Sequence, residues 1–170
     1  MKDYRIRAQK FIDSILPYIT DCITSPSKVA AAIEDYNHSH SRKVVVSYGA
    51  TRIALITSDY VIKWDYDEEE IEQFGGCDSE YETYLFAKSE GYAYLLAEVT
   101  QVEIHGFTFN IMPRVHYTSY TTAARKGSLY HRLSLNEYGW INENLADIHY
   151  CNWGLLNGKV CIFDYAARVE

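Results

Sequence analysis

Three short β-rich runs follow one another after residue 42 and constrain the fold more than any other feature of the chain. The runs read KVVVSYGA, TRIALITS and YVIKWDY, and each is rich in Val, Ile or Tyr. A glycine-containing turn and the segment TSD separate them. Connections this short join antiparallel neighbours, because a parallel pair needs a crossover of about a dozen residues. The runs therefore predict three consecutive antiparallel strands.

Helical patterns precede these strands. Phe11, Ile15 and Ile19 recur at helical spacing, and a second pattern follows in which Ser25 is the expected N-cap and Pro26 the first helical residue. Two helices are predicted to open the chain, with the polar segment NHSHSRK linking them to the strands.

Further elements are predicted after the third strand. The acidic run DYDEEEIE is interpreted as a solvated loop, and DSEYETYLFAKSEGY as a helix that is capped by Asp78 or Ser79 and stops at Gly91. The segment AYLLAEVTQVEIHGFTFNIMPRV predicts two strands around a turn at His105 and Gly106. HYTSYTTAARKGS is polar and irregular.

The C-terminal part of the chain predicts one more helix and a hairpin. Tyr138, Ile141, Leu145 and Ile148 keep helical spacing up to the segment DIHYCNWG. WGLLNGKVCIFDYA then predicts a hairpin around its Asn-Gly pair, the strongest two-residue turn signal.

Composition excludes several classes of protein. With 170 residues, of which 48% are hydrophobic and 23% charged, the chain suits one domain or a compact two-lobed unit. A net charge of −7 argues against general binding to nucleic acid. Since no uninterrupted apolar run forms a signal peptide or a membrane span, we expect a cytoplasmic protein without a membrane partner. Four cysteines without a CxxC pair are expected to be reduced thiols rather than disulfides or zinc ligands.

Several polar residues are candidates for a catalytic or binding site. Lys63 lies in the third predicted strand, Glu80 in the helix after it, and Asp164 at the end of the last strand. Asp147 and Asn152 lie in DIHYCNWG, and a pair with that spacing is close to chance frequency when taken alone. An Asx-rich turn between helix and strand accounts for it equally well. The pair becomes a candidate site because Lys63, Glu80 and Asp164 accompany it elsewhere in the chain.

The order of these motifs resembles the protein-kinase-like phosphotransferase superfamily. VIKW matches the strand lysine, SEYETY the helix glutamate, DIHYCN the catalytic loop and FDYA the metal-binding aspartate, over residues 44–167. His149 makes the catalytic loop more similar to aminoglycoside- and choline-kinase-like members. Leu145 and Ala146 depart from the family, which carries His and then Arg or Gly at these positions.

The resemblance implies an α+β, protein-kinase-like fold. It has an antiparallel five-stranded N-lobe over residues 43–113 and a truncated, minimal C-lobe over residues 114–170, preceded by a helical extension over residues 1–42. The extension is free to pack on the strands, to replace C-lobe surface or to form a dimer contact.

The resemblance also implies ATP and Mg²⁺ as cofactors. Lys63 is expected to reach the α- and β-phosphates and to be held by Glu80, whereas Glu82 faces elsewhere on the helix. Asn152 and Asp164 are the expected metal ligands, being hard oxygen donors. Asp147 is the expected general base.

The segment SYGATR is the expected phosphate loop and the least specific of these motifs. Gly49, Thr51 and Arg52 are its candidate nucleotide-binding residues, with Ser47 as a further candidate. A plain hairpin turn explains the same residues equally well.

Two functions from different classes remain open at this point. The first is a minimal ATP- and Mg²⁺-dependent phosphotransferase that moves the γ-phosphoryl group to a hydroxyl of an unknown small-molecule or protein acceptor. The second is a weak or inactive kinase-like binding or regulatory module that acts through a protein partner or a homo-oligomer. The second is suggested because only YAARVE follows Asp164, too few residues for the later C-lobe helices.

Overall fold

The computed structural model describes residues 3–41, 43–67, 69–71, 75–117, 132–146 and 152–167 and shows a mixed α+β architecture. The described helices are α1 (Tyr4–Ile19), α2 (Pro26–His40), α3 (Cys77–Ser89) and α4 (Leu135–Asn144), with short 3₁₀ helices at Thr20–Cys22 and Ala93–Leu95. The described strands are β1 (Val45–Tyr48), β2 (Arg52–Ile56), β3 (Tyr60–Asp65), β4 (Thr100–Ile104), β5 (Phe107–Pro113), β6 (His116–Tyr117), β7 (Leu145–Ala146), β8 (Trp153–Leu156), β9 (Lys159–Ile162) and β10 (Ala166–Ala167).

The chain divides into two compact units. The first comprises residues 1–78 and 99–114, and the second comprises residues 79–98 and 115–170. No helix within the described ranges is long and apolar enough to cross a membrane.

The first unit is built on a five-stranded antiparallel sheet with the order β1-β2-β3-β5-β4. The predicted five-stranded antiparallel sheet is thus confirmed. The turn between β4 and β5 consists of His105 and Gly106, whose φ angles are 52° and 82°. Two positive φ angles in succession are the geometry of a tight hairpin turn, which glycine adopts without strain.

One face of this sheet is apolar and is covered by α1 and α2. Alternate residues of the strands, among them Leu55, Ile62 and Phe109, form one core with Ile15 of α1 and Ile33 of α2. The N-terminal helices therefore pack on the strands, which is one of the three roles that the sequence leaves open for them.

Two polar contacts connect this helical layer to the strands. The indole N–H of buried Trp64 in β3 donates to the Ile23 carbonyl at 2.8 Å. The side chain of Asn37 in α2 donates to the Val44 carbonyl at 2.8 Å and accepts from its N–H at 3.0 Å, as a neighbouring strand would. The segment before α2 is thereby tied to β3, and the last turns of α2 are tied to the residue before β1.

The second unit contains α4 and two small antiparallel sheets. One has the order β6-β8-β9 and the other pairs β7 with β10. Asn157 and Gly158 form the turn between β8 and β9, with φ angles of 53° and 79°. The predicted Asn-Gly hairpin is confirmed.

Three element boundaries differ from the sequence-based expectation. The polar segment after Tyr36 is helical as far as His40, because the His40 ring stacks on Tyr36 with 4.2 Å between centroids. Helix α4 ends at Asn144 rather than continuing to Ile148, since Leu145 leaves the helix and pairs with Ala167. Residues 69–71 of the acidic run, predicted as a loop, are helical.

The start of AYLLAEVT was also wrongly predicted as a strand. Residues Ala93–Leu95 form a 3₁₀ helix, and the strand begins only at Thr100. Leu95, Leu96, Ala97 and Val99 are buried without pairing in a sheet, apart from a parallel bridge between Leu96 and Ile162, whereas Tyr94 is exposed.

Candidate functional site

The face of the five-stranded sheet opposite the helices carries Lys63. In register, Lys63 lies between Ala54 of β2 and Asn110 of β5, so these three side chains share one face. Lys63 is 6% exposed and Asn110 is fully buried. Buried lysines are rare unless their charge is compensated. On this face of the sheet, a buried lysine therefore lies between a polar side chain, Asn110, and a small one, Ala54.

Asp65, two residues after Lys63 on the same face of β3, holds the start of α3. Both of its carboxylate oxygens lie 3.0 Å from the amide nitrogen of Cys77, the first residue of the helix. This is the position at which a helix has unsatisfied N–H groups and favours a negative charge. The expected caps, Asp78 and Ser79, lie inside the helix instead, so that prediction was wrong.

Gly76 makes this contact sterically possible. A β-carbon at Gly76 would lie 2.7–2.9 Å from the carboxyl atoms of Asp65, closer than real β-carbons approach. Any larger residue there would therefore displace the carboxylate from Cys77. The glycine is required by the close approach of Asp65.

A second set of hydrogen bonds fixes the same end of α3 to β4 and β5. The amide of Asn110 donates to the Cys77 carbonyl at 2.7 Å. Gln101 donates to the carboxylate of Asp78 at 2.8 Å and to the Asn110 amide oxygen at 3.3 Å. Since Asn110 is buried, this network also satisfies polar groups that would otherwise be costly to bury.

Helix α3 carries Glu80 in its first turn. Glu80 is fully buried, whereas Glu82 is exposed. These environments match the expected orientation of the two carboxylates on the helix. The pairing of Glu80 with Lys63 stays a prediction.

The environment of Asp65 raises the pKa of its carboxyl above the ordinary value. Burial disfavours the ionised form, and this outweighs the hydrogen bonding from Cys77 and the attraction of Arg52, both of which favour it. The charge of Asp78 raises the pKa further. The folded protein therefore holds the proton on Asp65 more tightly than an exposed aspartate would, even though Cys77 and Arg52 favour the carboxylate.

This pKa predicts a pH dependence of stability that asparagine at position 65 removes. Because the folded state binds the proton more tightly than the unfolded state, the stabilisation from Asp65 is complete below pH 3.8 and is lost as the pH rises through the raised pKa. We expect the stability of the wild type relative to Asp65→Asn to fall over that interval. Urea unfolding of both proteins between pH 3 and about 7 tests this, and parallel curves would contradict it.

The loop between β1 and β2 contains the expected phosphate-binding residues. The Gly49 N–H donates to the Arg52 carbonyl at 3.0 Å, which closes a tight hairpin. A β-carbon at Gly49 would meet no atom within 4 Å, so the space beside this residue is open. Thr51 is buried, and Arg52 lies opposite Asp65 in register.

Tyr66, the residue after β3, holds this loop. Its hydroxyl donates to the Gly49 carbonyl at 2.8 Å, and its N–H donates to the Thr51 carbonyl at 3.0 Å. The Tyr66 ring packs against the core beneath the sheet. Two carbonyls of the loop are thus bound from one residue.

In the second unit, the structure brings together Asn152 and Asp164. The Asn152 amide donates through Nδ2 to the backbone carbonyl of Asp164 at 3.0 Å, and the Phe163 N–H donates to the Asn152 carbonyl at 2.8 Å. Asn152 is buried. Two residues twelve positions apart, at the two ends of the hairpin, are therefore held side by side.

Asp164 has an unusual backbone conformation with a φ of 58°. Aspartate and asparagine tolerate this left-handed region better than other residues with a β-carbon, and such strain is frequent at functional sites. The next residue, Tyr165, is 2% exposed and its hydroxyl donates to the Ala97 carbonyl at 2.8 Å. The position of Asp164 is thus fixed from both sides.

Two predicted catalytic-loop residues, Asp147 and His149, lie outside the described residues, so their roles stay predictions. Within the described ranges, no group of three or more His, Cys, Asp and Glu side chains is placed to hold a metal ion. The described candidate ligands are the oxygens of Asn152 and Asp164.

The functional candidates that sequence reasoning missed are Asp65, Tyr66 and Asn110. A signal exists for Asp65, since residues i and i+2 of a strand share a face and Lys63 was already a candidate. Asn110 interrupts an otherwise apolar buried strand, FTFNIMP, which is a signal of the same kind. Tyr66 has no comparable signal.

Comparisons with known proteins give a distant structural likeness. No protein-family model and no curated protein matches the chain. Among solved structures, the chain is similar to the Legionella pneumophila Lpg2603 kinase bound to IP6, with a TM-score of 0.46 and 14% sequence identity. The match covers 76% of this chain and 51% of that chain, so the chain spans about half the length of that structure.

Proposed function

We propose that this chain is a kinase-like phosphotransferase that uses ATP and Mg²⁺ and transfers the γ-phosphoryl group to a hydroxyl acceptor. The observation that carries the proposal is the pairing of Asn152 with Asp164, whose left-handed backbone is held between Phe163 and Tyr165. It supports a site for one hard cation. The buried Lys63 supports a site for phosphate.

The two donor groups fit magnesium. Mg²⁺ is usually bound by one or two protein oxygens together with substrate phosphates, and it prefers carboxylate and amide oxygens. Asp164 would supply a carboxylate and Asn152 the amide oxygen, while Nδ2 of Asn152 keeps its bond to the backbone. When bound, the cation would neutralise charge on the phosphates.

The remaining residues would position the reactants. Lys63 would bind the α- and β-phosphates, with Glu80 holding its ammonium group, and the open space beside Gly49 would admit a phosphate close to the backbone. Asp147 would accept the acceptor's hydroxyl proton. The acceptor oxygen then forms a bond to the γ-phosphorus, the bond to the bridging oxygen breaks, and ADP leaves.

Nucleotide binding is the first test. A ligand that binds only the folded state stabilises it by about 2.7 kcal/mol at a concentration 100 times its dissociation constant. We expect ATP with Mg²⁺ to raise the melting temperature of the purified chain, and ATP with EDTA to raise it less. No shift in either condition would contradict the proposal.

Phosphoryl transfer is the second test. We expect ADP formation from ATP with water or the chain's own hydroxyls as acceptor, and a rate about 10² to 10⁴ lower in Asp147→Asn. Asp35→Asn, an exposed aspartate of α2, is the matched control and should retain the wild-type rate. Binding of ATP without any ADP formation would leave a nucleotide-binding module and exclude the enzyme.

A further inference from the structure

Asp65, at the end of β3, and Tyr66, directly after it, bind the two structures that would surround a phosphate. Asp65 binds the first N–H of α3, and Tyr66 binds two carbonyls of the β1–β2 loop. Adjacent residues of extended chain point to opposite faces. Asp65 accordingly lies on the face of Lys63, and the Tyr66 ring packs into the core.

We propose that Asp65 and Tyr66 are positioning residues that couple strand β3 to the start of helix α3 and to the β1–β2 loop, so that Lys63, the first N–H of α3 and the loop are placed together. This proposal rests on the proposed function, since it assigns a role in the same phosphate site. Neither residue touches the reacting atoms in this assignment. Both act through the groups that they hold.

The helix contact supports this role because it fixes the start of α3, where Glu80 lies. Glu80 is three residues after Cys77, about 4.5 Å further along the helix axis. Asp65 and Lys63 belong to one strand, so the anchor and the cation move as one body. Gly76, whose missing β-carbon admits the carboxylate, is the independent structural sign of this contact.

The contact of Tyr66 with the β1–β2 loop supports the positioning role because carbonyl oxygens repel phosphate. The hydroxyl and N–H of Tyr66 bind the carbonyls of Gly49 and Thr51, which keeps both oxygens turned towards Tyr66. The open side of Gly49 then remains accessible to an anion.

The two residues should affect different kinetic parameters of ADP formation. Asp65→Ala should lower kcat about 10- to 100-fold with little change in the KM for ATP, because small displacements of catalytic groups have effects of this size. Asp65→Asn should recover most of the rate, since its amide oxygen still accepts from Cys77. Tyr66→Phe should raise the KM for ATP roughly 2- to 10-fold, as expected for one lost hydrogen bond, without lowering kcat.

Two substitutions on α1, beneath the other face of the sheet, serve as matched controls. Asp3 accepts from the Arg5 N–H at the start of α1, so Asp3→Ala removes a comparable helix cap. Tyr18→Phe removes a hydroxyl from a partly exposed ring of the same helix. Both should keep the wild-type kcat and KM.

Hydrogen exchange provides a readout that needs no activity. Amides at the start of α3 should exchange faster in Asp65→Ala and also in Gly76→Ala, which keeps the carboxylate but displaces it. Amides of residues 49–52 should exchange faster in Tyr66→Phe. Gly76→Ala also keeps the helix contact testable where Asp65→Ala does not fold.

The outcomes separate the positioning role from the proposed function. A wild type that binds ATP and Mg²⁺, with Asp65→Ala and Tyr66→Phe indistinguishable from their controls, overturns the positioning role and leaves the function standing. A wild type that neither binds ATP nor forms ADP overturns the function, and the catalytic role of both residues fails with it. The selective changes in kcat, KM and exchange described above support the positioning role.

Discussion

The Asp164→Asn variant is expected to lose at least about 100-fold in the rate of ADP formation while keeping the stability of the wild type. Asparagine tolerates the left-handed φ of 58° at this position, so the backbone is expected to stay in place. The bond from Asn152 goes to the backbone carbonyl of residue 164, which the substitution leaves unchanged. What is lost is the negative charge that would bind Mg²⁺, and loss of even indirect support for a metal costs about 10- to 100-fold in affinity or activity.

Alanine at the same position should behave differently. Asp164→Ala removes the carboxylate and also places a less tolerant residue in the left-handed region, at a cost of roughly 1–2 kcal/mol. Asn157→Ala is the matched control for strain, because Asn157 has a φ of 53° in the hairpin of the same unit and carries no proposed ligand.

Two measurements on these three variants separate chemistry from backbone strain. Urea unfolding should show a loss of stability in Asp164→Ala and Asn157→Ala but not in Asp164→Asn. ADP formation should fall in both variants of Asp164 and persist in Asn157→Ala. Wild-type activity of Asp164→Asn would exclude Asp164 as a metal ligand.

The parts of the fold that could be predicted from the sequence are those that neighbouring residues determine. The tight turns at His105-Gly106 and Asn157-Gly158 depend on residues that accept positive φ, and the strands on either side depend on alternation of period two. Gly91, with a φ of 83° after the end of α3, was identified as a helix stop for the same reason. These signals lie within a few positions of the structure that they predict.

The boundaries that were predicted wrongly depend on contacts between distant residues. Helix α3 begins at Cys77 because Asp65, twelve positions earlier, binds its first N–H. Helix α4 ends at Asn144 because Leu145 pairs with Ala167, and helical spacing alone would have continued to Ile148. A window of one or two turns contains no information about either partner.

The candidate site divides in the same way. Lys63 and Glu80 could be placed on their elements from local pattern, and both are buried. The residues that hold those elements, Asp65 and Tyr66, act across 12 to 17 positions, so their partners become visible only in the folded chain. Identifying a residue of the right chemical type is therefore easier from sequence than identifying what positions it.

The Ile15→Ala variant is expected to lose about 2–5 kcal/mol in the free energy of unfolding of the first unit. Ile15 of α1 is fully buried in the core that the two N-terminal helices form with the apolar face of the sheet. Truncation there removes transfer free energy and leaves a cavity. Ile6→Ala on the same helix is the matched control, because Ile6 is 54% exposed and its loss should change stability by less than about 0.5 kcal/mol.

Hydrogen exchange of the β3 and β5 amides measures this effect in the first unit alone, and equal effects of the two substitutions would contradict the packing of α1 on the sheet.

The Ile15→Ala and Ile6→Ala variants also test whether the helical layer affects the candidate site. Lys63 and Asn110 lie on the face of the sheet away from α1. At a temperature where Ile15→Ala is still folded, its dissociation constant for ATP should therefore equal that of the wild type. The N-terminal helices would then stabilise the sheet without contributing to the site.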